Sequence, residues 1–183
     1  MKNKIYKYDF LIVGGGLIGA LTAFALYKKN FKVLLTDKKN DILNDKRTLA
    51  VNANSKEFLE QLGIWKELKS KPQPIVKILI KDQINSSPLI FNNKSEPMGN
   101  VVFNKEMFEI IRKKLKNLNI LRTNVNLNLE DLMPSKIVNI NKRHYSFKKI
   151  IISVGKNINF ISGQKSIIFN KGHYSYVGFF KHV

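Results

Sequence analysis

The feature that most constrains the fold is a glycine-rich turn that joins an apolar run to a helical pattern near the start of the chain. Residues 10–13 read FLIV, a short apolar run that is typical of a buried strand. The next six residues, GGGLIG at 14–19, have the spacing G-x-G-x-x-G. Residues 17–29 then follow a helical period. The order strand, turn, helix predicts the first part of a βαβ unit.

A second strand and an acidic residue complete this unit. Residues 31–36 read FKVLLT and predict a strand that ends at Asp37. Gly16 has no Cβ, so the backbone there can approach a pyrophosphate, and the helix N-terminus offers it free N–H groups. Asp37 is placed to accept hydrogen bonds from the two hydroxyls of a ribose. The unit therefore predicts a dinucleotide site, and by itself it does not distinguish FAD from NAD.

The strong positive charge does not by itself indicate a nucleic-acid partner. The 183 residues include 32 Lys plus Arg and 13 Asp plus Glu, which gives a net charge of +19. Of the cations, 28 are Lys and 4 are Arg. The lysines are spread along the chain, without the basic cluster that nucleic-acid binding uses. We expect a solvated, lysine-rich surface and no specific nucleic-acid binding.

The residue types that are missing exclude several classes of chemistry. The chain has no Cys, which excludes a disulfide scaffold, a Cys-ligated zinc site and thiol catalysis. It has no G-x-S-x-G, P-loop or H-E-x-x-H pattern, and its three His are far apart in the sequence. We therefore expect no metal site. A chain without Cys fits a reducing compartment, and we expect a cytoplasmic protein.

The uncharged run at residues 10–27 has a second interpretation, as a signal peptide or a membrane helix. Asp9 lies at its start, and the run contains Thr22 and four glycines, which are weak membrane formers. The division of the run into strand, turn and helix also argues against one continuous span. We therefore favour the βαβ interpretation.

Two short stretches after Asp37 carry a family resemblance. Residues 45–51 read DKRTLAV, and residues 62–65 read LGIW. Between them Asn54, with Glu57 three residues later, predicts a helix cap, and Gly63 predicts the end of that helix. In the order and spacing of these stretches, the chain resembles the FAD-dependent aromatic hydroxylases, specifically the ubiquinone-biosynthesis branch.

A third stretch agrees with this resemblance. Residues 98–104 read MGNVVFN and precede a helix predicted over 105–118. The resemblance implies that Asn104 lies near the ribityl chain of a flavin, while its residue type also suits a helix N-cap. It implies that Arg47 lies beside the isoalloxazine and ribityl region. A surface cation is the alternative for Arg47, although an Arg in a chain dominated by Lys favours a role for its planar guanidinium.

The resemblance implies FAD as cofactor, NAD(P)H as reductant, and hydroxylation of an aromatic ring with O2. It implies a polyprenyl-phenol or similar aromatic substrate, a ubiquinone precursor, and a peripheral association with the inner membrane. No side chain acts as nucleophile in such chemistry, so we predict no catalytic residue. The predicted cofactor-binding residues are Gly14, Gly15, Gly16, Leu17, Ile18, Gly19, Asp37, Lys38, Arg47, Asn104 and Gly155.

The family pattern changes near the end of the predicted sheet. Residues 149–155 predict its last parallel strand, which in the family ends in G-A-D-G followed by a serine. The matching residues here are ISVG at 152–155, so Val154 stands in place of the Asp and Ile158 in place of the Ser. Gly155 keeps its place. In the family this motif serves the approach of NAD(P)H, so the loss of its Asp and Ser changes the part of the site that NAD(P)H would use.

We predict an α/β fold, with a Rossmann-like FAD-binding domain over residues 1–160 and small β insertions near 71–97 and 124–147. Short strands are predicted at 75–80, 88–91, 136–140 and 144–147. Residues 161–183 are predicted to be the truncated start of a substrate-domain β-sheet. We expect the N-terminal FAD-binding portion of a hydroxylase, which a second chain could complete. The alternatives are another two-dinucleotide flavoprotein and a degenerate remnant or scaffold subunit.

Overall fold

The computed structural model describes residues 4–39, 46–81, 87–93, 95–127, 132 and 137–155. The strands are β1 (Ile5–Val13), β2 (Val33–Thr36), β3 (Thr48–Val51), β4 (Gln73–Ile75), β5 (Lys77–Ile80), β6 (Leu89–Asn92), β7 (Gly99–Phe103), β8 (Leu121–Arg122), β9 (Val138–Ile140) and β10 (Arg143–Ile152). The helices are α1 (Leu17–Lys28), α2 (Ala53–Gln61) and α3 (Asn104–Asn117), and a 3₁₀ turn lies at Trp65–Glu67. The domain boundary predicted near residue 160, and the strands predicted beyond it, lie outside the described residues.

Within the described residues, five strands form the main sheet, in the order β8-β2-β1-β10-β9. β8, β2, β1 and β10 run parallel, and β9 joins the edge of β10 in the antiparallel direction. α1 provides the crossover from β1 to β2, because neighbouring parallel strands cannot be joined by a tight hairpin. The fold is therefore α/β and Rossmann-like, as the sequence predicts.

Apolar side chains cover both faces of the main sheet, which explains why its strands read as continuous apolar runs. Ile12 and Leu35 belong to a core cluster that includes residues of α1 and α3. Leu11 and Leu34 belong to a second cluster, which includes Val125. Because successive residues of a strand point to opposite faces, each central strand contributes to both clusters.

Two smaller β elements accompany the main sheet. β3, β7 and β4 form an antiparallel sheet, and β5 pairs with β6 in a hairpin. The strand predicted at 75–80 is thus divided between β4 and β5, and the strand predicted at 88–91 corresponds to β6. Every residue of β5 and β6 is exposed.

The cap of α2 differs from the prediction. Asn52, and not Asn54, caps the helix, and its side chain accepts a hydrogen bond from the Ser55 N–H at 2.8 Å. The reason is that β3 extends to Val51, so the helix begins immediately after Asn52 and places Asn54 in its first turn. The predicted end of the helix is confirmed, since Gly63 follows it with a φ of +70°.

One long strand replaces two that the sequence predicts. Residues 144–147 and 149–152 belong to the ten-residue β10, which pairs with β1 from Ile5 to Val13. The polar pair at 148–149 interrupts the apolar pattern without interrupting the strand, because the backbone pairs with β1 on both sides of Lys148. The Lys148 ammonium also pairs with Asp9 on β1 at 2.7 Å. The stretch at 124–147, predicted as an insertion, therefore contributes β9 and the first part of β10 to the main sheet.

The uncharged run at residues 10–27 is divided between β1, the glycine turn and α1, which has 12 residues. In the ranges that the structure describes, no helix is long and apolar enough to cross a membrane. Because the run is divided between a strand, a turn and a helix, the interpretation of it as one continuous membrane helix is wrong.

Gly19→Ala should destabilise the fold by about 1–3 kcal/mol, the usual cost of overpacking. A Cβ on Gly19 would overlap the Gly14 carbonyl oxygen and the Ser153 hydroxyl, so the backbone would have to move. Denaturant unfolding measures this cost. The control is Ile18→Ala in the same turn of α1, where the side chain is 71% exposed and the change should cost less than about 0.5 kcal/mol. Equal stability of Gly19→Ala and the wild type would contradict the close packing of Gly19 against Gly14 and Ser153.

A carboxylate on β1 makes stability depend on pH. Asp9 accepts a hydrogen bond from the Lys32 backbone N–H at 2.9 Å and pairs with the Lys148 ammonium at 2.7 Å. The Lys148 ammonium, and after it the Lys32 N–H, lower the pKa of Asp9. Because this pKa is lower in the folded than in the unfolded chain, the stabilisation is present at neutral pH and is lost as the pH falls through the lowered pKa.

We therefore expect Asp9→Asn to lower the Tm at neutral pH and to have the Tm of the wild type in acid. Thermal unfolding of both proteins across this pH range measures the difference. Lys148→Met removes the main cause of the lowered pKa, so it should reduce the pH dependence as well. A Tm difference that stays constant as the pH falls would show that the charge of Asp9 is not responsible.

Candidate cofactor-binding site

The candidate site lies where β1, β2 and β10 end at the same edge of the main sheet. Gly14 follows β1, Asp37 follows β2 and Ser153 follows β10. The chain leaves β1 through α1 toward β2, while β10 lies on the opposite side of β1. In open α/β sheets this arrangement at the carboxyl ends of the strands forms the crevice in which ligands bind.

The fold itself requires a glycine at positions 14 and 19 of the turn. Gly14 has a φ of +107°, which residues with a side chain rarely adopt. A Cβ on Gly19 would overlap Gly14 and Ser153. The Ser153 hydroxyl donates a hydrogen bond to the Gly14 carbonyl at 2.8 Å, and the Ser153 N–H donates to the Val13 carbonyl at 2.7 Å. The turn is therefore held directly against the end of β10.

Gly16 differs from these two, because its surroundings do not require a glycine. It is the N-cap residue of α1, with a φ of −64° and a ψ of 178° that other residues also adopt. A Cβ on it would have no described heavy atom within 4 Å. No described side chain caps α1, and its first turn has no acidic residue. The N–H groups and the positive end of the helix dipole thus face an open space that suits an anion.

Asp37 lies beside the turn, and two groups hold its carboxylate. Oδ2 accepts a hydrogen bond from Arg112 Nη1 at 3.3 Å, and Oδ1 accepts one from the Lys39 backbone N–H at 3.2 Å. A Cβ on Gly15 would lie 2.5 Å from Oδ2, so the carboxylate and the turn are direct neighbours. The Asp37 side chain is 20% exposed, so a ligand in the crevice can reach it.

A small cavity of about 120 Å³ adjoins Asp37. Val125, Leu127 and Val154 form apolar parts of its wall, and Lys38 lines it as well. Val154, which replaces the Asp of the resembling family, is therefore part of an apolar surface. The combination of aliphatic walls and a carboxylate suits a flat ring attached to a group with hydroxyls.

A larger open groove of about 900 Å³ lies at the opposite edge of the main sheet. The first residues of β1 and the first residue of β2 line it, together with Tyr27 and Phe31. It contains neither the glycine turn nor the first turn of α1. The carboxyl edge of the sheet is therefore the better candidate for a nucleotide.

Arg47 and Asn104 lie together at the start of β3 and the end of β7. The Asn104 N–H donates a hydrogen bond to the Arg47 carbonyl at 3.0 Å. Asn104 is buried, whereas Arg47 is exposed. The interpretation of Asn104 as a helix cap is wrong, because Phe103 is the N-cap residue of α3 and Asn104 begins the helix.

The remaining predicted residues belong to the carboxyl edge of the main sheet. Leu17 and Ile18 form the first turn of α1. Gly155 follows β10 with a φ of +62°. These residues adjoin the turn and the end of β10, as expected from the order of the motif.

Four residues at this edge were not predicted as site residues: Arg112, Ser153, Val125 and Leu127. Arg112 could have been noticed, because it is an Arg in a helix whose other cations are Lys. Ser153 belongs to the altered family motif at 152–155, and the motif gives no signal of its contact with Gly14. Val125 and Leu127 give no local signal, since the pairing of β8 with β2 and a hydrogen bond from the Val125 N–H to the Asp37 carbonyl bring them to the site.

The curated proteins to which the chain is similar in sequence include a ubiquinone hydroxylase and an FAD-dependent monooxygenase. The chain is 32% identical over 119 residues to the ubiquinone hydroxylase UbiL of Rhodospirillum rubrum, a match that covers 60% of this chain and 27% of that protein. It is 23% identical over 117 residues to the FAD-dependent monooxygenase nvfK of Aspergillus novofumigatus, covering 61% and 25% respectively. The chain thus spans about a quarter of the length of these relatives.

Solved structures share the fold at low sequence identity. The substrate-free rebeccamycin biosynthetic enzyme RebC matches with a TM-score of 0.59 and 13% identity, over 87% of this chain and 36% of that one. A geranylgeranyl bacteriochlorophyll reductase-like protein of Thermoplasma acidophilum matches with a TM-score of 0.60 and 18% identity, over 91% and 44% respectively. These similarities confirm the fold.

A family model described as "FAD binding domain" matches residues 7–140. The match includes the glycine turn, Asp37, Arg47 and Asn104, all of which are predicted cofactor-binding residues. It also includes Arg112 and the residues of the small cavity that precede β10. The chain therefore belongs to the family of FAD-binding domains.

Proposed function

We propose that the chain binds FAD by its ADP half at the carboxyl edge of the main sheet. The observation that carries this proposal is the surroundings of Gly16, where a Cβ would meet no described atom within 4 Å. A pyrophosphate needs such a space in front of uncapped helix N–H groups. A glycine that the fold does not require is explained when a ligand occupies the position of its missing side chain.

Three neighbouring groups would hold three parts of the ADP half. The first N–H groups of α1 would bind the pyrophosphate, and Asp37 would accept hydrogen bonds from the ribose hydroxyls. The aliphatic walls at Val125 and Leu127 would pack against the adenine. The family resemblance places Arg47 and Asn104 toward the ribityl chain and the isoalloxazine.

The reaction that we propose for the complete enzyme is hydroxylation of an aromatic ring, with a polyprenyl-phenol precursor of ubiquinone as substrate. The chemistry that FAD would supply when bound is the transfer of electrons from NAD(P)H and the activation of O2. The chain's own residues would bind and orient the cofactor, and we assign none of them as acid, base or nucleophile. The support for this proposal is the family match, together with the similarity to a ubiquinone hydroxylase and to an FAD-dependent monooxygenase.

A second chain is the partner that we propose, and the hairpin of β5 and β6 supports it. One face of the hairpin carries Ile78, Ile80, Leu89 and Phe91, each between 40% and 57% exposed. Within the described residues the hairpin pairs with no further strand, so its outer edges present backbone N–H and C=O groups. A lipid surface cannot satisfy these groups, whereas a β-sheet can. We therefore favour a protein partner with β-strands over a membrane surface for this face.

We propose no specific nucleic-acid partner. Among the described residues, two lysines form ion pairs within their own helices, Lys56 with Glu60 and Lys105 with Glu109, both at i,i+4 spacing. Pairs of this kind are typical of a solvated helix face. They support the interpretation of the charge as a general lysine-rich surface.

A non-catalytic FAD-binding subunit is the second candidate function, and Val154 favours it. This residue replaces an Asp of the family motif that serves the nicotinamide cofactor, and it lines the small cavity with an apolar side chain. FAD binding by the chain without any reduction by NAD(P)H would support this candidate.

Gly16→Ser should weaken FAD binding about tenfold to a hundredfold, in line with an overpacking cost of about 1–3 kcal/mol. The new hydroxyl would occupy the phosphate position and cap α1 itself, because Ser is a preferred N-cap residue. The substitution should therefore leave the stability of the fold unchanged or increase it. Titration of the chain with FAD, followed by flavin fluorescence, measures the Kd.

The matched control for this substitution is Lys28→Ser, which introduces the same residue at the other end of α1. It should leave the Kd for FAD unchanged. Thermal unfolding of both variants shows whether they are folded. A Gly16→Ser protein that is folded and binds FAD as tightly as the wild type would contradict the proposed site.

The purified 183-residue chain should not hydroxylate an aromatic substrate by itself, because the exposed hairpin supports a partner that completes the enzyme. The test supplies NADH or NADPH, O2 and a polyprenyl-phenol, and measures product by mass spectrometry together with oxidation of the nicotinamide. Hydroxylated product formed in step with that oxidation would refute the expectation.

A further inference from the structure

The guanidinium of Arg112 is a buried charge that reaches the candidate site from the side of the helices. Its side chain on α3 is 3% exposed, and Nη1 lies 3.3 Å from Asp37 Oδ2. Its Cζ lies 5.3 Å from the centroid of the Phe108 ring, about one turn earlier in the helix. Arg112 thus connects the interior face of α3 with the acid that follows β2.

The residue type at this position departs from the composition of the chain. The other cations of α3 are lysines, and Lys113 and Lys116 are exposed. Arg112 lies instead on the buried face of the helix, beside Ile111. Burial favours the neutral form of a lysine, whereas a guanidinium keeps its charge and makes directed hydrogen bonds. An Arg at this position therefore maintains a permanent positive charge behind Asp37.

We propose that Arg112 is a positioning residue for the cofactor and acts through Asp37, an inference that rests on the proposed FAD site. Arg112 holds Oδ2, and the Lys39 N–H holds Oδ1 at 3.2 Å. With both oxygens held, the carboxylate keeps one orientation before a ligand arrives. Its remaining lone pairs then accept the ribose hydroxyls without a further loss of side-chain freedom.

The charge of Arg112 has a second effect on the same site. Asp37 is a direct neighbour of the glycine turn, so a pyrophosphate bound at α1 would lie close to its carboxylate. Repulsion between these negative groups is weakly screened in a partly buried crevice. The guanidinium behind Asp37 offsets this repulsion, so the acid and the phosphates can occupy neighbouring positions.

The test compares Arg112→Met with Lys113→Met, which removes the same charge from the adjacent, exposed position of the same helix. The Kd for FAD is measured on the full 183-residue chain by flavin fluorescence. We expect Arg112→Met to raise the Kd about tenfold, the effect of one lost charge-assisted contact. Lys113→Met should leave the Kd unchanged, and Arg112→Lys should restore part of the affinity. An unchanged Kd in Arg112→Met would overturn the proposal.

Two measurements test whether Arg112 acts through Asp37. The first uses an FAD analogue that lacks the adenosine 2′-hydroxyl. The second introduces Arg112→Met into a chain that already carries Asp37→Ala. Arg112→Met should weaken binding of the analogue clearly less than binding of FAD, and should add no further loss to Asp37→Ala. If Arg112 only stabilised the fold, Arg112→Met would raise the Kd for FAD and for the analogue by the same factor, both with Asp37 and with Ala at position 37. That result would overturn the positioning role.

Failure of the proposed FAD site gives a different result from failure of this inference. In the first case the wild-type chain does not bind FAD, or Gly16→Ser binds it equally well. In the second case Gly16→Ser loses FAD while Arg112→Met retains it. If Arg112→Met does not fold, Arg112→Gln provides the same comparison with a polar side chain, and wild-type affinity in that variant would overturn the inference.

Discussion

The arrangement of the site depends on the contact between the glycine turn and the end of β10. Gly14 and Gly19 lie so close to Ser153 that a Cβ on either would overlap it. This contact fixes the direction in which α1 leaves the sheet, and therefore where its N–H groups point. The Gly14 N–H also donates to the Thr36 carbonyl at 2.9 Å, which places the turn next to Asp37. One close approach thus brings together the ends of three strands and a helix.

The main sheet can hold this contact because its central strands are buried on both faces. β1 pairs with β2 on one side and with β10 along nearly its whole length on the other. The clusters on the two faces meet at β1, where Leu11 and Ile12 are fully buried. A shift of β10 relative to β1 would move Ser153 away from Gly14 and would exchange core and surface positions along the strand.

The sequence predicts those parts of the fold and site that depend on neighbouring residues. The order of strand, glycine turn, helix, strand and Asp37 is local, and it gave the α/β class and the position of the site. The pairing of β10 with β1 and the approach of Arg112 to Asp37 join residues far apart in the chain, and no local pattern encodes them. The cap of α2 was misplaced by two residues, because the end of β3 at Val51 depends on its pairing with β7.

The glycine motif appears in the sequence as one pattern, but the structure shows that its glycines are needed for different physical reasons. Gly14 and Gly19 are required by backbone conformation and close packing, so they would be needed in the absence of any ligand. Gly16 has no such requirement, and Asp37 has a buried guanidinium behind it and an open crevice in front. Gly16 and Asp37 weaken the packed core very little, and a bound ligand explains why these residue types occur there. The cofactor site can therefore be recognised from the positions at which the fold alone gives no reason for the residue.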